Sequence, residues 1–205
     1  MKRMNLATVS ALAFAVLLSC PPAQAEGDRE AGQKKFYTCV GCHGIEGYSN
    51  TYPAYQVPRL GGQHADYVIS ALKTYQSGAR PHPSMQGNAM NLSDRDMEDI
   101  AAYVAVFRSI TVELPVRGDM AVGKTKAEAC AGCHGEDGNS AAGSGFPRLA
   151  GQYQSYLVKT LQDYKSGKRK NAIMNGIAAG LDETDIDDIT AFYASQKKGL
   201  IVIPE

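Results

Sequence analysis

Two pentapeptides carry the chemistry open to this sequence: Cys39-Val40-Gly41-Cys42-His43 and Cys130-Ala131-Gly132-Cys133-His134. In each, two thiols stand one helical turn apart, which suits the two vinyl groups of a haem. The adjacent histidine can then return an imidazole to the iron. These residues point to two covalently bound haem c groups, with thioethers at Cys39, Cys42, Cys130 and Cys133 and with His43 and His134 as proximal ligands. Other uses of the motif fit less well. A redox Cys-x-x-Cys pair normally opens a helix after a strand, and no strand pattern precedes either copy. A zinc site needs a further pair of Cys or His at short spacing, which neither copy has. A disulfide within the motif would leave the repeated histidine without a role.

The two motifs lie in a duplicated chain. Pro-Arg-Leu-x-Gly-Gln recurs at Pro58–Gln63 and Pro147–Gln152, and an offset of 89 residues then holds without a gap to Phe107 and Gln196. Twenty of those 50 positions are identical, among them Tyr67/Tyr156, Tyr75/Tyr164, Arg80/Arg169 and Met85/Met174. A repeat of about 90 residues is a duplicated domain rather than a solenoid unit. The register also selects the sixth ligand. Met174 is the only methionine after His134, and it aligns with Met85, whereas Met90 and Met97 align with Ala179 and Ile186. Met85 and Met174 are therefore the expected axial partners. Met97 reads as a core residue and Met90 as a loop neighbour. His64 and His82 align with Tyr153 and Asn171, so a bis-histidine scheme cannot recur, and surface or supporting roles are expected of both.

A ligating histidine usually donates its other ring N–H to a carbonyl, and Pro58 and Pro147 can each offer one. Arg59 and Arg148 follow directly. They stand either as partners of haem propionates or as solvated surface groups.

Several elements must position these residues. Each copy reads as three helices joined by Gly- and Pro-rich loops. The first spans Asp28–Tyr37 and Asp119–Ala129 and leads into the Cys motif behind an Asp cap. The second spans His64–Gln76 and Tyr153–Lys165 and is stopped by Gly78 or Gly167. The third starts at Ser93 or Asp182, with Asp96 or Asp185 completing a capping box. The fold class is all-α, written twice, with a seam near Ile110–Gly118. The expected divisions are a signal peptide at 1–25 and domains at 26–112 and 113–205. Lys2 and Arg3, an apolar run from Leu6 to Leu18, and Ala23-Gln24-Ala25 form an export signal too short to span a bilayer. Leu17-Leu18-Ser19-Cys20 is the alternative, a lipoprotein box that would tether the chain through Cys20. With 21 Lys+Arg against 21 Asp+Glu, nothing calls for a nucleic-acid partner.

The paired Cys-x-x-Cys-His motifs, each followed by Pro-Arg-Leu-x-Gly-Gln and a methionine before an amphipathic helix, resemble the bacterial dihaem cytochrome c4 family. The resemblance covers Glu26 to about Gln196. It implies two tandem class I cytochrome c domains related by a pseudo-two-fold repeat, with His43/Met85 and His134/Met174 ligation. It also implies an electron carrier of a respiratory chain, in the periplasm, rather than an enzyme. The implied partners are an upstream donor, such as a cytochrome bc complex or a small periplasmic carrier, and a terminal oxidase downstream. Peripheral association with the membrane goes with that role. Two alternatives stay open. One is a dihaem enzyme of the peroxidase or sulfur-compound dehydrogenase type, and the other is a haem subunit of a larger oxidoreductase. The apolar tail Gly199–Glu205 would suit the second. Lys168-Arg169-Lys170 and the loop bearing Tyr48, Tyr52 and Tyr55 are expected to form two unlike docking faces.

Overall fold

A computed structural model describes residues 27–107 and 115–204. The export signal, Cys20 and most of the seam lie outside the described residues. Among the described residues the chain forms nine helices and two isolated β-bridges. The first copy holds α1 (Arg29–His43), α2 (Ala65–Gln76), α3 (Pro83–Ala89) and α4 (Asp94–Val104). The second holds α5 (Met120–Lys126), α6 (Glu128–His134), α7 (Gln154–Lys165), α8 (Ala172–Ala179) and α9 (Glu183–Ala194). None of these helices is long and apolar enough to cross a membrane.

Two features differ from the three-helix reading. The first helix does not end at Tyr37. In the first copy it runs unbroken to His43, so the Cys motif is its last turn. In the second copy it breaks at Ala127, where Cys130 N–H bonds the Ala127 carbonyl only three residues back. Each copy also has an additional short helix, α3 or α8, that carries the aligned methionine. His82 Nδ1 accepts from Met85 N–H at 3.2 Å, and Asn171 Oδ1 accepts from Met174 N–H at 3.0 Å. Pro83, in the first turn of α3, has no N–H to leave orphaned there.

The terminal helices of each copy cross at a glycine. A Cβ on Gly32 would lie 1.9 Å from the Asp99 carbonyl oxygen, and one on Gly123 would lie 2.0 Å from that of Asp188. Only glycine permits so close an approach of α1 to α4 and of α5 to α9. The same crossings are tied by polar contacts. Asp28 N–H donates to Asp99 at 2.7 Å and Asp119 N–H to Asp188 at 2.8 Å. Lys35 bridges Asp96 and Asp99, and Lys126 bridges Asp185 and Asp188. Around these crossings lie two cores. The second gathers Ala127, Leu157, Ile189, Phe192 and Tyr193. The first gathers Phe36, Val68, Ile100, Ala101 and Val104, and is completed by Ile203 from the far end of the chain. Met97 is fully buried in α4, while Met90 is exposed at the end of α3.

That last contact bears on the apolar tail, which therefore lends no support of its own to a subunit of a larger oxidoreductase. After α9, Leu200 N–H bonds the Ala150 carbonyl at 2.7 Å. Ile201 then exchanges two hydrogen bonds with Gly61, at 2.9 and 3.0 Å, and Ile203 is wholly buried in the first copy. Leu200, Ile201 and Ile203 are thus covered within the molecule itself.

The Pro-Arg-Leu-x-Gly-Gln segments join the two copies, each contact answering another across an approximate dyad. Gln63 accepts from Arg148 N–H at 2.9 Å and donates to the Arg148 carbonyl at 3.1 Å. Gln152 does the same with Arg59, at 2.9 and 3.0 Å. Arg59 Nη1 donates to the Gly151 carbonyl and Arg148 Nη1 to that of Gly62, both at 2.9 Å. Arg80 reaches the Tyr156 hydroxyl at 2.6 Å, and Arg169 reaches that of Tyr67 at 3.0 Å.

Candidate haem centres

Each Cys motif ends a helix, so its two thiols sit on one face and the histidine closes the last turn. Before haem is attached, burial pushes the Cys39 and Cys130 thiols above the ordinary thiol range. His43 and His134 are buried, and burial holds both imidazoles below their usual pKa, against the opposing pull of the Pro58 and Pro147 carbonyls. Those carbonyls lie 2.9 Å from Nδ1 of His43 and of His134. A carbonyl can only accept, so each ring carries its proton on Nδ1 and keeps the Nε2 lone pair for a metal.

Met85 and Met174 are half-buried on α3 and α8, which pack against α2 and α7. In the first copy Gln76 secures α3 by donating to the Ala89 and Leu92 carbonyls, at 3.2 and 2.8 Å. In the second, Asn175 donates to the Tyr164 and Arg169 carbonyls at 2.5 and 2.9 Å.

The arginines after the prolines are not solvated surface groups. Arg59 is 1% exposed. Its guanidinium pairs with Glu46 and lies 4.5 Å from the centre of the Tyr153 ring. Its Nε is buried with no hydrogen-bond partner among the described residues, a donor left over for an anionic group such as a propionate. The paired thiols, the neutral histidine with Nε2 free and this leftover donor fit a haem. No group of three or more His, Cys, Asp or Glu side chains able to hold a metal ion gathers among the described residues.

The two docking faces need correction. Arg169 stacks on Tyr164 at 4.6 Å and bonds Tyr67, so Lys168 and Lys170 alone remain exposed from that run. Tyr55 is buried and its hydroxyl meets His82 Nε2 at 2.9 Å, which leaves only Tyr48 and Tyr52 at the surface of the first loop. His64 is buried as well, at 5% exposure, so it is no surface residue.

Sequence reasoning assigned no role to Gln63, Gln152, Tyr67, Tyr156, Arg80 or Glu46. For all but Glu46 the signal was present as identity between the copies. Around them Arg80, Arg169, Tyr55 and Tyr156 help to line a cavity of about 290 Å³ between the copies. Burial works to raise the Tyr67 hydroxyl there, but Arg169 and Arg80 outweigh it and bring the group down to about 8.

Helical copies in tandem, each ending its first helix in Cys-x-x-Cys-His, define a two-domain c-type cytochrome. The Cytochrome c family model matches residues 29–106 and again residues 120–197. Cytochrome c4 of Pseudomonas aeruginosa is 38% identical over 183 residues, covering 83% of this chain and 89% of the relative. The solved cytochrome c4 of Acidithiobacillus ferrooxidans superposes with a TM-score of 0.69 at 31% identity, over 78% of this chain and 99% of that one. A thiosulfate dehydrogenase electron acceptor of Stutzerimonas stutzeri is 31% identical over 208 residues, covering 88% of this chain and 91% of that one. The chain belongs to the cytochrome c4 family, and as such it is a dihaem electron-transfer cytochrome with two covalently bound haem c groups.

Proposed function

We propose that the protein is an exported electron carrier, without substrate chemistry of its own, that takes single electrons from a periplasmic or membrane-bound donor and passes them towards a terminal oxidase. The observation that carries this reading is the matched pair of proximal histidines. Each is neutral, with Nδ1 held at 2.9 Å by a proline carbonyl, and each is followed by the aligned methionine, 42 residues on in the first copy and 40 in the second, on a short capped helix. When bound, haem c supplies one-electron exchange between ferric and ferrous iron. Cys39, Cys42, Cys130 and Cys133 would anchor it through thioethers. His43 with Met85, and His134 with Met174, would hold the two irons, which would leave neither a ligand position for a substrate. Pro58 and Pro147 orient the histidines, and Arg59 Nε offers a buried donor to a propionate. Glu26 would be the first residue of the periplasmic protein; a lipidated Cys20 is the alternative start, and N-terminal sequencing separates the two.

Replacing either methionine tests the ligand set. Thioether sulfur favours ferrous iron more than imidazole does. Met85→His is therefore expected to lower the potential of the first haem and Met174→His that of the second, each with loss of its own near-infrared Met–iron band. If Met90→His moves the first haem and Met85→His does not, the ligand assignment in the first copy is wrong.

The likeness to a thiosulfate dehydrogenase electron acceptor favours a second reading on the donor side, in which a sulfur-compound dehydrogenase supplies the electrons. Reduction by such an enzyme in a stopped-flow mixture, compared with reduction by a cytochrome bc complex, distinguishes the two donors.

A further inference from the structure

His64 and Tyr153 occupy the N-cap positions of α2 and α7, 89 residues apart, and neither side chain caps its own helix. The preceding glutamines satisfy their backbone instead. Gln63 Oε1 accepts from His64 N–H at 2.9 Å, and Gln152 Oε1 accepts from Tyr153 N–H at 3.0 Å. Both side chains are thereby released to cross to the other domain. His64 Nε2 lies 2.8 Å from the Ser140 carbonyl and 3.1 Å from its hydroxyl, and that hydroxyl donates to the Phe146 carbonyl at 2.8 Å. Phe146 precedes Pro147, the residue whose carbonyl holds His134, and its ring stands edge-on to the His134 imidazole.

The opposite crossing reaches the first domain by a different route and ends on the residue after Pro58. The Tyr153 hydroxyl accepts from Gly47 N–H at 2.7 Å and donates to Glu46 at 2.6 Å. Glu46 pairs with Arg59, which covers the Tyr153 ring and directly follows Pro58. Each crossing therefore stops one residue from the carbonyl that orients a proximal histidine.

We propose that His64 and Tyr153 are crossed positioning residues: each, from one domain, fixes the carbonyl that orients the proximal histidine of the other domain. The inference rests on His43 and His134 being the haem ligands proposed above. Its consequence follows from how a histidine is tuned. A well-placed acceptor at Nδ1 makes the imidazole more electron-rich, which favours ferric iron. Loosening that acceptor should raise the potential of the haem concerned.

The test uses His64→Phe and Tyr153→Phe in the full-length, haem-loaded protein, with the two potentials assigned by Met85→His and Met174→His. His64→Phe is expected to raise the ferrous-to-ferric ratio of the second haem by several-fold to about tenfold at fixed poise, tenfold being about 59 mV for a one-electron couple. It should also move the hyperfine-shifted NMR signals of His134 and leave those of His43 in place. Tyr153→Phe should act on the first haem and His43 alone. His64→Gln keeps a donor towards Ser140 and should restore the second potential. Tyr153→Phe removes one oxygen only and carries the test if His64→Phe does not fold. Shifts in the haem of the mutated domain, equal shifts in both, or a lower melting temperature with both potentials unmoved would each overturn the proposal. The methionine variants report separately on the ligands: if they leave the potentials unchanged, the ligand reading fails first, and the histidine signals still show whether the effect crosses.

Discussion

Cys39→Ala together with Cys42→Ala is expected to strip haem from the first domain and leave the second loaded. The thioethers are the only covalent link between haem and chain, and both anchor sulfurs of the first site lie in the last turn of α1. The second pair sits on α6, in a separate core, so its attachment should survive. The loss should cost more than a cofactor. Without haem the first domain's main apolar cluster has five buried side chains of its own and one borrowed from the tail. A domain of roughly 80 residues with so small a core is marginal without a cofactor or staple. The intact mass should therefore fall by one haem, the haem absorbance per protein to about half, and protease should enter the first domain before the second. Retention of two haems, or loss of both, would show that the sites are not independent attachment units.

The duplication and the Cys motifs were legible in the sequence because both are local or periodic. Helix caps could be read in the same way: Asp28, Ser93, Asp119 and Asp182 all accept at helix starts. The methionine helices were not legible. At 7 and 8 residues they are too short for a hydrophobic period to show, and their caps are a histidine and an asparagine in Gly- and Pro-rich surroundings. The interface was hidden for a different reason. Identity of Arg80 with Arg169, or of Tyr67 with Tyr156, marks a position as useful twice. A contact within each copy and a contact across the dyad leave the same mark. His64 and Tyr153 were harder still, because they differ between the copies while both reach across. Arg59 could be read from the sequence either as a propionate partner or as a solvated charge; its cation is buried against Glu46 and the Tyr153 ring, and that ring is supplied only by the joined domains.

The tail lies past Gln196, where the run of identities between the copies has ended, so the repeat gave no reading of it, and here the fold depends on a side chain distant in sequence. Ile203→Ala is expected to destabilise the first domain by about 3 kcal/mol, within the usual range for truncating a buried isoleucine. Ile203 is wholly buried among Phe36, Val68, Ile100, Ala101 and Val104. Its backbone is held on either side, by the Ile201–Gly61 bridge and by close approach to Gly44, where a Cβ would come within 3.3 Å of the Ile203 carbonyl oxygen. The cavity left by truncation cannot easily close, because both the tail and the helices around it are pinned. For a domain of this size the loss amounts to roughly 10–20 °C in melting temperature. It should fall on the first domain, although the residue belongs to the second domain's stretch of chain. Val202→Ala, at a half-buried neighbour, is the control and should cost under about 1 kcal/mol. Differential scanning calorimetry, with the absorbance of each haem followed through the transition, can assign the change. An unshifted first transition in Ile203→Ala would mean that the tail merely rests on the first domain. A selective fall would mean that the first haem domain is completed only by the segment that carries Ile203.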